Sequence, residues 1–353
     1  MRCTNNKKKY TDRDLRAEYR KREKQKAAKR FIISLVFLIL LLGAAVYVFL
    51  LNKQNIMLIK PFDKTDSVFG IEKVSMGNGT ASSAASELCV ANENILPEDI
   101  SLTAGTGGLF SEADKEVLYA KDIHEKFYSA SITKIMTTLV ALKYGNLEEI
   151  VTVGEEAKDI EMGSSVCEIK PGDQLSLQQL LYGLMINSGN DAAMTIAKHI
   201  AGSTEAFVEM MNQETQEIGA TNTHFTNPHG LQDEDHYTTV YDIYLTFHEA
   251  LKYDVFRDII SKPSYYATFR NAQGEETGIM WESTNHYFIN EATPPSGIEV
   301  FGGKTGTTDE AGACLCLYSK DKYGDPYISI ILKAESKDTL YNEMNELLSK
   351  INK

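Results

Sequence analysis

The stretch Tyr128-Ser-Ala-Ser-Ile-Thr-Lys-Ile-Met-Thr-Thr138 places a serine, Ser131, three residues before a lysine, Lys134. Apolar side chains repeat at helical spacing over residues 135–142, and Gly145 follows as a stop signal, so a helix is predicted to begin near this pair. Residues three apart lie on the same face of a helix. A serine hydroxyl becomes a good nucleophile when a base removes its proton, and a lysine is such a base when its pKa is lowered. The helix start also directs backbone N–H groups outwards, where an oxyanion would form.

Two further short motifs follow along the chain. Ser188-Gly-Asn190 comes after an apolar run that opens with the capping box Ser176-x-x-Gln179, which predicts a helix followed by a loop that presents Ser188 and Asn190. Lys304-Thr-Gly-Thr307 follows a bend at Gly302-Gly303 and is predicted to lie at the exposed start of a strand, along which a peptide would pair as an added strand. Each motif alone is weak, but the three in this order form a specific set.

The chain resembles the D-alanyl-D-alanine carboxypeptidases of the low-molecular-mass penicillin-binding class. The resemblance covers roughly residues 102–348 and rests on the three motifs with their flanking sequences. It also rests on Asn227-Pro-His-Gly-Leu231, on His236-Tyr-Thr-Thr239 and on Asp242. The activity that this resemblance implies is removal of the terminal D-alanine from peptidoglycan stem peptides through an acyl-enzyme, with β-lactam antibiotics as covalent inhibitors.

The resemblance implies a role for each motif residue. Ser131 would be the acylated nucleophile and Lys134 its general base, while Ser188 would relay a proton to the leaving nitrogen, coupled to Lys304. The backbone N–H groups of Ser131 and Thr307 would form the oxyanion hole. The implied substrate-binding residues are Asn190, Lys304, Thr305, Gly306 and Thr307. Lys304, Thr305 and Thr307 among them would hold the terminal carboxylate, and no metal or organic cofactor is implied.

The sequence departs from many relatives near its C-terminal end. Many relatives place an arginine close to the last helix, where it supports the carboxylate site, but no arginine follows Arg270 here. Lys333 and Lys337 are the candidate replacements, although an ammonium does not reproduce the bidentate geometry of a guanidinium. Many relatives also carry a C-terminal β-rich domain and an amphipathic membrane helix, whereas the predicted anchor of this chain is N-terminal.

The order of the predicted elements indicates an α+β fold. Strands, a helical middle, more strands and a closing helix fit an antiparallel sheet with flanking helices and an inserted helical lobe, the β-lactamase/transpeptidase-like arrangement that the resemblance also implies. The sequence predicts strands over residues 102–110, 117–120, 313–318 and 327–332, and further helices over residues 192–200, 205–218 and 337–351. For the helix over 205–218, Ser203 is the expected cap and Gly219 the expected stop.

The N-terminal region predicts a membrane anchor. Residues 1–30 hold 13 Lys or Arg and 4 Asp or Glu, and residues 31–51 form 21 consecutive uncharged positions, enough for a helix to cross a bilayer. The positive-inside rule then predicts a cytoplasmic tail (1–30), a transmembrane anchor (31–51), a flexible stalk (52–99) and an extracytoplasmic peptidase domain (100–353) at the cell membrane. Signal-peptide cleavage near Ala45 is the alternative.

Charge, cysteines and histidines narrow the function classes. The whole chain has a net charge of −13 despite its basic tail, so the acidic remainder argues against nucleic-acid binding. Cys89, Cys167, Cys314 and Cys316 show no metal-binding spacing and are predicted to be small buried thiols, with the last two on one strand face. The spacing of His224, His229 and His236 does not indicate a zinc site.

Three alternatives remain open from the sequence. A β-lactamase shares the acylation step, but the Glu-x-x-Leu-Asn segment of class A enzymes is missing after Ser188. A non-turnover receptor for β-lactams or peptidoglycan would be acylated without releasing D-alanine. Endopeptidase and transpeptidase activities use the same motifs and differ in the leaving group or the acceptor.

Overall fold

The computed structural model describes residues 87–352, which contain two antiparallel sheets and seven α-helices. The larger sheet has five strands in the order β2-β1-β9-β8-β7. Its strands are β1 (Thr106–Ser111), β2 (Glu116–Lys121), β7 (Glu299–Thr308), β8 (Gly312–Lys320) and β9 (Pro326–Ala334). The smaller sheet, in the order β3-β4-β5-β6, comprises β3 (Ile150–Thr152), β4 (Gln174–Ser176), β5 (Ser264–Arg270) and β6 (Glu276–Glu282). The predicted α+β class with antiparallel sheets and helices is therefore confirmed.

Most of the helices lie between the first and last strands of the larger sheet. They are α1 (Lys134–Tyr144), α2 (Leu177–Ile186), α3 (Asn190–Ala201), α4 (Thr204–Ile218), α5 (Val240–Ala250), α6 (Asp254–Ile260) and the closing α7 (Lys337–Ser349). The predicted capping box is present at the start of α2, where Ser176 accepts from the Gln179 N–H and the Gln179 side chain accepts from the Ser176 N–H. Ser203 caps α4, and Gly219 ends it in the left-handed conformation.

The larger sheet separates two hydrophobic clusters. The residues of β8 alternate between them, with Leu315 and Leu317 packing in the cluster beneath α7, and Cys314 and Cys316 in the cluster formed with the other helices. This alternation confirms the predicted shared face of the two cysteines. The four cysteines of the described residues are all free and buried, as predicted.

The packed domain begins earlier than residue 100, so the predicted stalk boundary is wrong at its C-terminal end. Cys89 is fully buried, and its N–H donates to the Tyr244 hydroxyl over 2.9 Å. Ile95 exchanges backbone hydrogen bonds with Ala120 at the outer edge of β2. The segment lacks periodicity because it packs through single side chains and one bridge, which leave no repeating sequence pattern.

Several other boundaries also differ from the sequence-based expectations. β1 begins at Thr106, not at residue 102, and β7 begins at Glu299, so Gly302 and Gly303 lie inside the strand. The two glycines follow an irregularity in the β7–β8 register, and a Cβ at Gly302 would lie 2.0 Å from the Ile260 carbonyl oxygen. The inserted lobe also contains the smaller sheet, which the sequence analysis did not predict.

The predicted tail, the predicted membrane anchor and the predicted stalk up to residue 86 lie outside the described residues. Within residues 87–352, no helix is both long enough and apolar enough to cross a bilayer.

Candidate active site

Ser131 lies on a short 3₁₀ turn, Ala130–Thr133, that leads directly into α1. The hydroxyl is partly exposed, whereas Lys134, the first residue of α1, is completely buried. Lys134 Nζ lies 2.8 Å from Ser131 Oγ. Ala130 has a φ of 45°, a left-handed backbone that is uncommon for a residue other than glycine, so the turn that carries the hydroxyl is held in a strained conformation.

Burial sets the protonation of Lys134. Desolvation, and then the positive charge of Lys304, hold the pKa of Lys134 well below its ordinary value of 10.5. Nζ has two further partners, Asn190 Oδ1 and the His229 carbonyl oxygen, each at 2.7 Å. A buried lysine with a lowered pKa beside a hydroxyl is the arrangement that a general base requires.

Ser188 and Asn190 are presented between α2 and α3. Ser188 has a φ of 60° and is 5% exposed, while Asn190 is the first residue of α3. The loop is tight because a Cβ at Gly189 would lie 2.2 Å from Cys167 Sγ. This geometry brings the hydroxyl of Ser188 and the amide of Asn190 to the same cleft as Ser131.

Lys304 lies within β7, which is an edge strand of the larger sheet. Its Nζ donates to Ser188 Oγ over 3.0 Å and to the Thr305 carbonyl oxygen over 2.8 Å. Burial lowers the pKa of Lys304 to about 7, so the cation is retained only up to near-neutral pH. Gly306 packs directly against the 3₁₀ turn that carries Ser131, because a Cβ there would lie 3.0 Å from the Ser131 N atom.

Two cavities meet at Ser131. The smaller one, about 130 Å³, is lined by Ser188, Thr305, Lys337 and other residues, and the larger one, about 410 Å³, is lined by Asn190 and the carboxylate-bearing residues Glu161, Asp309 and Glu310. Ser131, Ser165 and Thr307 line both. The cleft is therefore continuous across Ser131, with a lysine on one side and carboxylates on the other.

The eight residues singled out by the sequence all belong to this cleft or to its hydrogen-bond network. They are Ser131, Lys134, Ser188, Asn190, Lys304, Thr305, Gly306 and Thr307. The lysine pair proposed as arginine replacements separates: Lys337 lines the smaller cavity, whereas Lys333 lines a different cavity together with Lys126, Tyr128 and Glu234.

Part of the site carries no signal in the sequence. Thr284, His286 and Tyr341 also line the smaller cavity, and the His229 carbonyl oxygen contacts Lys134. Thr284 and His286 follow β6, which no sequence pattern had predicted, so nothing linked them to the cleft. The sequence contains the Asn-Pro-His-Gly motif, but the contact with Lys134 is made by a backbone carbonyl, which carries no residue-type signal.

The comparisons with known proteins agree on one family. A family model described as D-alanyl-D-alanine carboxypeptidase matches residues 94–336. DacF of Bacillus subtilis is 36% identical over 208 residues, which cover 58% of this chain and 51% of that relative. DacC of Escherichia coli is 36% identical over 251 residues, which cover 68% of this chain and 59% of that relative. The chain thus spans between half and two thirds of the length of these two carboxypeptidases.

Solved structures show the same fold. A crystal structure of a Streptomyces DD-transpeptidase matches with a TM-score of 0.67 and 28% identity, covering 72% of this chain and 98% of that one. The carboxypeptidase DacD from Francisella tularensis matches with a TM-score of 0.63 and 25% identity, covering 76% of this chain and 75% of that one.

Proposed function

The chain belongs to the D-alanyl-D-alanine carboxypeptidase family, and on that basis we propose that it is a serine carboxypeptidase acting on peptidoglycan stem peptides that end in D-alanyl-D-alanine. One observation carries the proposal: the partly exposed hydroxyl of Ser131 lies 2.8 Å from the amine of a fully buried lysine, Lys134, whose pKa is lowered. A neutral amine at that distance can take the hydroxyl proton as the oxygen attacks a carbonyl carbon.

In the acylation step, Ser131 Oγ forms a bond to the carbonyl carbon of the penultimate D-alanine and its proton passes to Lys134. The negative charge then develops on the carbonyl oxygen. Backbone N–H groups of Ser131 and Thr307 would stabilise this charge. The close approach of Gly306 to the Ser131 N atom supports this role, because it brings β7 against the 3₁₀ turn that carries Ser131.

Collapse of this intermediate breaks the peptide bond. Ser188 gives its hydroxyl proton to the leaving nitrogen, and the Lys304 ammonium, which donates to Ser188 Oγ, returns a proton to it. The excess proton on Lys134 replaces the one that Lys304 gave up, so the charges of the site are restored. Hydrolysis reverses the sequence: a water molecule gives a proton to Lys134, its oxygen attacks the ester carbonyl, and Ser131 recovers its proton as it leaves.

The charge distribution of the cleft supports one direction of substrate binding. The free carboxylate of the terminal D-alanine would lie in the smaller cavity, which Thr305, Thr307 and Lys337 line. Lys304 lies beside this cavity, because its Nζ donates to Ser188 Oγ and to the Thr305 carbonyl oxygen. The rest of the stem peptide, which is the acyl part, would extend along the larger cavity and pair with the edge strand β7. The lysine on the leaving-group side attracts the terminal carboxylate, and this attraction favours a carboxypeptidase over an endopeptidase.

The proposal includes a location. An uncharged segment over residues 31–51 next to a basic tail supports a single membrane-spanning helix with a cytoplasmic N-terminus, which would leave the catalytic domain outside, where its substrate lies. Protease accessibility of the full chain in intact cells tests this topology: cleavage confined to residues after 51 supports it, and cleavage confined to residues 1–30 rejects it.

The first test of the activity is intact-mass measurement of the full chain after incubation with benzylpenicillin, followed by peptide mapping. A single adduct on Ser131, together with release of D-alanine from a stem peptide, supports the carboxypeptidase. A stable adduct without D-alanine release would indicate the receptor instead, and consumption of the drug without a stable adduct would indicate a β-lactamase. A folded protein that leaves both drug and peptide intact would reject the proposed chemistry.

A further inference from the structure

The base of the site, Lys134, has three hydrogen-bonding neighbours on three different elements. Nζ lies 2.8 Å from Ser131 Oγ, 2.7 Å from Asn190 Oδ1 and 2.7 Å from the His229 carbonyl oxygen. The amide oxygen and the carbonyl oxygen can only accept hydrogen bonds, whereas the hydroxyl can either donate or accept.

This arrangement determines where the lone pair of the neutral amine points. A neutral amine has two N–H bonds and one lone pair. Because Asn190 Oδ1 and the His229 carbonyl oxygen can only accept, they take the two N–H bonds, and the lone pair is left facing Ser131 Oγ. After proton transfer the ammonium has three N–H bonds, and all three neighbours then accept one. The His229 carbonyl is thus as important for the orientation of the base as the Asn190 side chain.

The carbonyl of His229 is aimed by a tight turn. The side-chain oxygen of Asn227 accepts from the Gly230 N–H over 2.7 Å and from the His229 N–H over 3.3 Å, and its Nδ2 donates to the Leu231 carbonyl over 3.0 Å. Gly230 has a φ of 88°, and a Cβ there would lie 1.9 Å from the Ala130 carbonyl oxygen. The 227–231 turn therefore packs directly against the 3₁₀ turn that carries Ser131.

The same turn is tied to α1 one helical turn beyond the base. Thr137 Oγ1 donates to the Pro228 carbonyl over 2.6 Å, and Thr137 is fully buried. Lys134 and Thr137, at i and i+3 on one helix face, therefore hold two successive carbonyls of the turn. Asn227 shapes the turn from within, and Thr137 attaches it to the helix.

We propose that Asn227 is a positioning residue for acylation, because its side chain holds the His229 carbonyl where it orients the lone pair of Lys134 towards Ser131. The inference rests on the proposed function, since it concerns the base of that reaction. Asn227 itself lines neither cavity, although its partners Gly230 and Leu231 line the larger one, and it acts on Lys134 through the backbone carbonyl of His229.

The proposal predicts a change in pH dependence as well as in rate. A hydrogen bond accepted from an N–H favours the charged form of the amine, so its loss lowers the pKa of Lys134 further, and the acid limb of the acylation profile moves to lower pH. The other titratable groups that interact with Lys134 are Lys304, Cys167, Asp191, His229 and His236. Asn227 carries no charge, so its replacement leaves the charges of these groups unaltered. A shift of the acid limb therefore reports on the hydrogen bond between Lys134 Nζ and the His229 carbonyl oxygen.

The experiment compares Asn227→Ala with Asn212→Ala in the full chain. Asn212 is a matched control because it is likewise partly buried, accepts from the Phe225 N–H over 2.8 Å and donates to the Phe225 carbonyl over 2.8 Å. These side-chain hydrogen bonds join it to Phe225 and not to the 227–231 turn. For each protein, the rate constant of acylation by benzylpenicillin and the dissociation constant of the preceding non-covalent complex are measured between pH 5 and pH 9, together with the melting temperature.

In Asn227→Ala we expect the acylation rate constant to fall by about 10- to 100-fold, with the non-covalent dissociation constant changed less than about threefold and the acid limb at lower pH. Asn212→Ala is expected to have a lower melting temperature but the same acylation rate constant and the same acid limb of the pH–rate profile as the unmodified chain.

Equal rate losses in the two variants, or an unmoved acid limb in Asn227→Ala, would show that Asn227 only supports the fold, and would overturn the inference. If Asn227→Ala does not fold, Thr137→Val provides the test. We expect Thr137→Val to lower the acylation rate constant by a smaller factor and to move the acid limb of the pH–rate profile in the same direction. An unchanged pH–rate profile in this variant would refute the inference. A folded, unmodified chain that is not acylated at all would reject the proposed function itself, and this inference with it.

Discussion

Replacement of Lys304 by methionine tests how the cleft recognises the terminal carboxylate. Lys304 is 1% exposed and donates to Ser188 Oγ and to the Thr305 carbonyl, so in its charged form it can offer a remaining N–H to a carboxylate in the smaller cavity. A hydrogen bond to a charged partner contributes about 1.5–3 kcal/mol. Since about 1.4 kcal/mol corresponds to a tenfold change, Lys304→Met should reduce kcat/KM for a free-acid peptide by about 10- to 100-fold more than for its methyl ester.

The assay compares two substrates in each protein. A peptide ending in D-alanyl-D-alanine and a matched peptide whose terminal carboxylate is methylated are hydrolysed by the unmodified chain and by Lys304→Met at pH 6.5, where the Lys304 cation is largely present. The ester is the internal control, because both substrates undergo attack by Ser131 and protonation of the leaving nitrogen. The ratio of the two losses isolates the interaction with the carboxylate from any effect on Ser188.

The stability of the variant provides an independent check with a definite sign. The pKa of Lys304 is lowered from 10.5 to about 7 in the folded protein, so between these values the unfolded state binds more protons and the free energy of unfolding rises with pH. The penalty is fully present below about pH 7 and disappears above about pH 10.5. Lys304→Met should therefore raise the melting temperature at pH 6 and change it less at pH 9.5.

The reasoning would be refuted if the free acid and the ester lost activity equally. In that case the lysine would serve only the proton relay through Ser188, and another group would hold the carboxylate. A lower melting temperature at pH 6 would separately show that the Lys304 ammonium stabilises the folded protein, contrary to the direction of its pKa shift.

Three further predictions concern other parts of the domain. Ser131→Ala should abolish labelling by penicillin while leaving the melting temperature within a few degrees, and retained labelling would exclude Ser131 as the nucleophile. Lys337→Ala should lower kcat/KM several-fold more for free-acid peptides than for their esters, because Lys337 lines the smaller cavity. Lys333→Ala should change kcat/KM for the two substrates alike, because Lys333 lines a different cavity. Glu343 is 5% exposed and accepts from two backbone N–H groups and a hydroxyl just before β1. Glu343→Ala should therefore lower the free energy of unfolding, measured in urea, by about 2–4 kcal/mol. Glu346 is exposed on the same helix, and Glu346→Ala should change that free energy by less than about 0.5 kcal/mol.

Local sequence signals predicted helix ends well in this chain. The capping box at Ser176, the cap at Ser203 and the stop at Gly219 are all present, because each depends on hydrogen bonds or backbone angles within a few residues. The alternation of Cys314 to Leu317 was equally readable, since side chains of a strand point to opposite faces whatever the strand pairs with.

Elements without a periodic pattern were missed or misplaced. The β5–β6 hairpin carries no clear strand pattern in the sequence. Its exposed face includes the apolar Tyr266 and Met280, and its buried face includes Ala267 and Trp281, so apolar and polar residues do not alternate as they do in a strand with one solvent-exposed face. The sequence predicts a buried thiol at Cys89 but places it in a stalk, because nothing local shows that this segment packs against α5.

The motifs identify the candidate reactive groups, because Ser131, Lys134, Ser188, Asn190 and Lys304 occur in three motifs that are specific in this order. The chemistry open to those groups depends on how the chain folds around them. The lowered pKa of Lys134 comes from burial among several elements, and the orientation of its amine comes from the carbonyl of His229, far along the chain. Desolvation and backbone hydrogen bonds depend on the surroundings of an atom and not on its residue type, so no motif contains them.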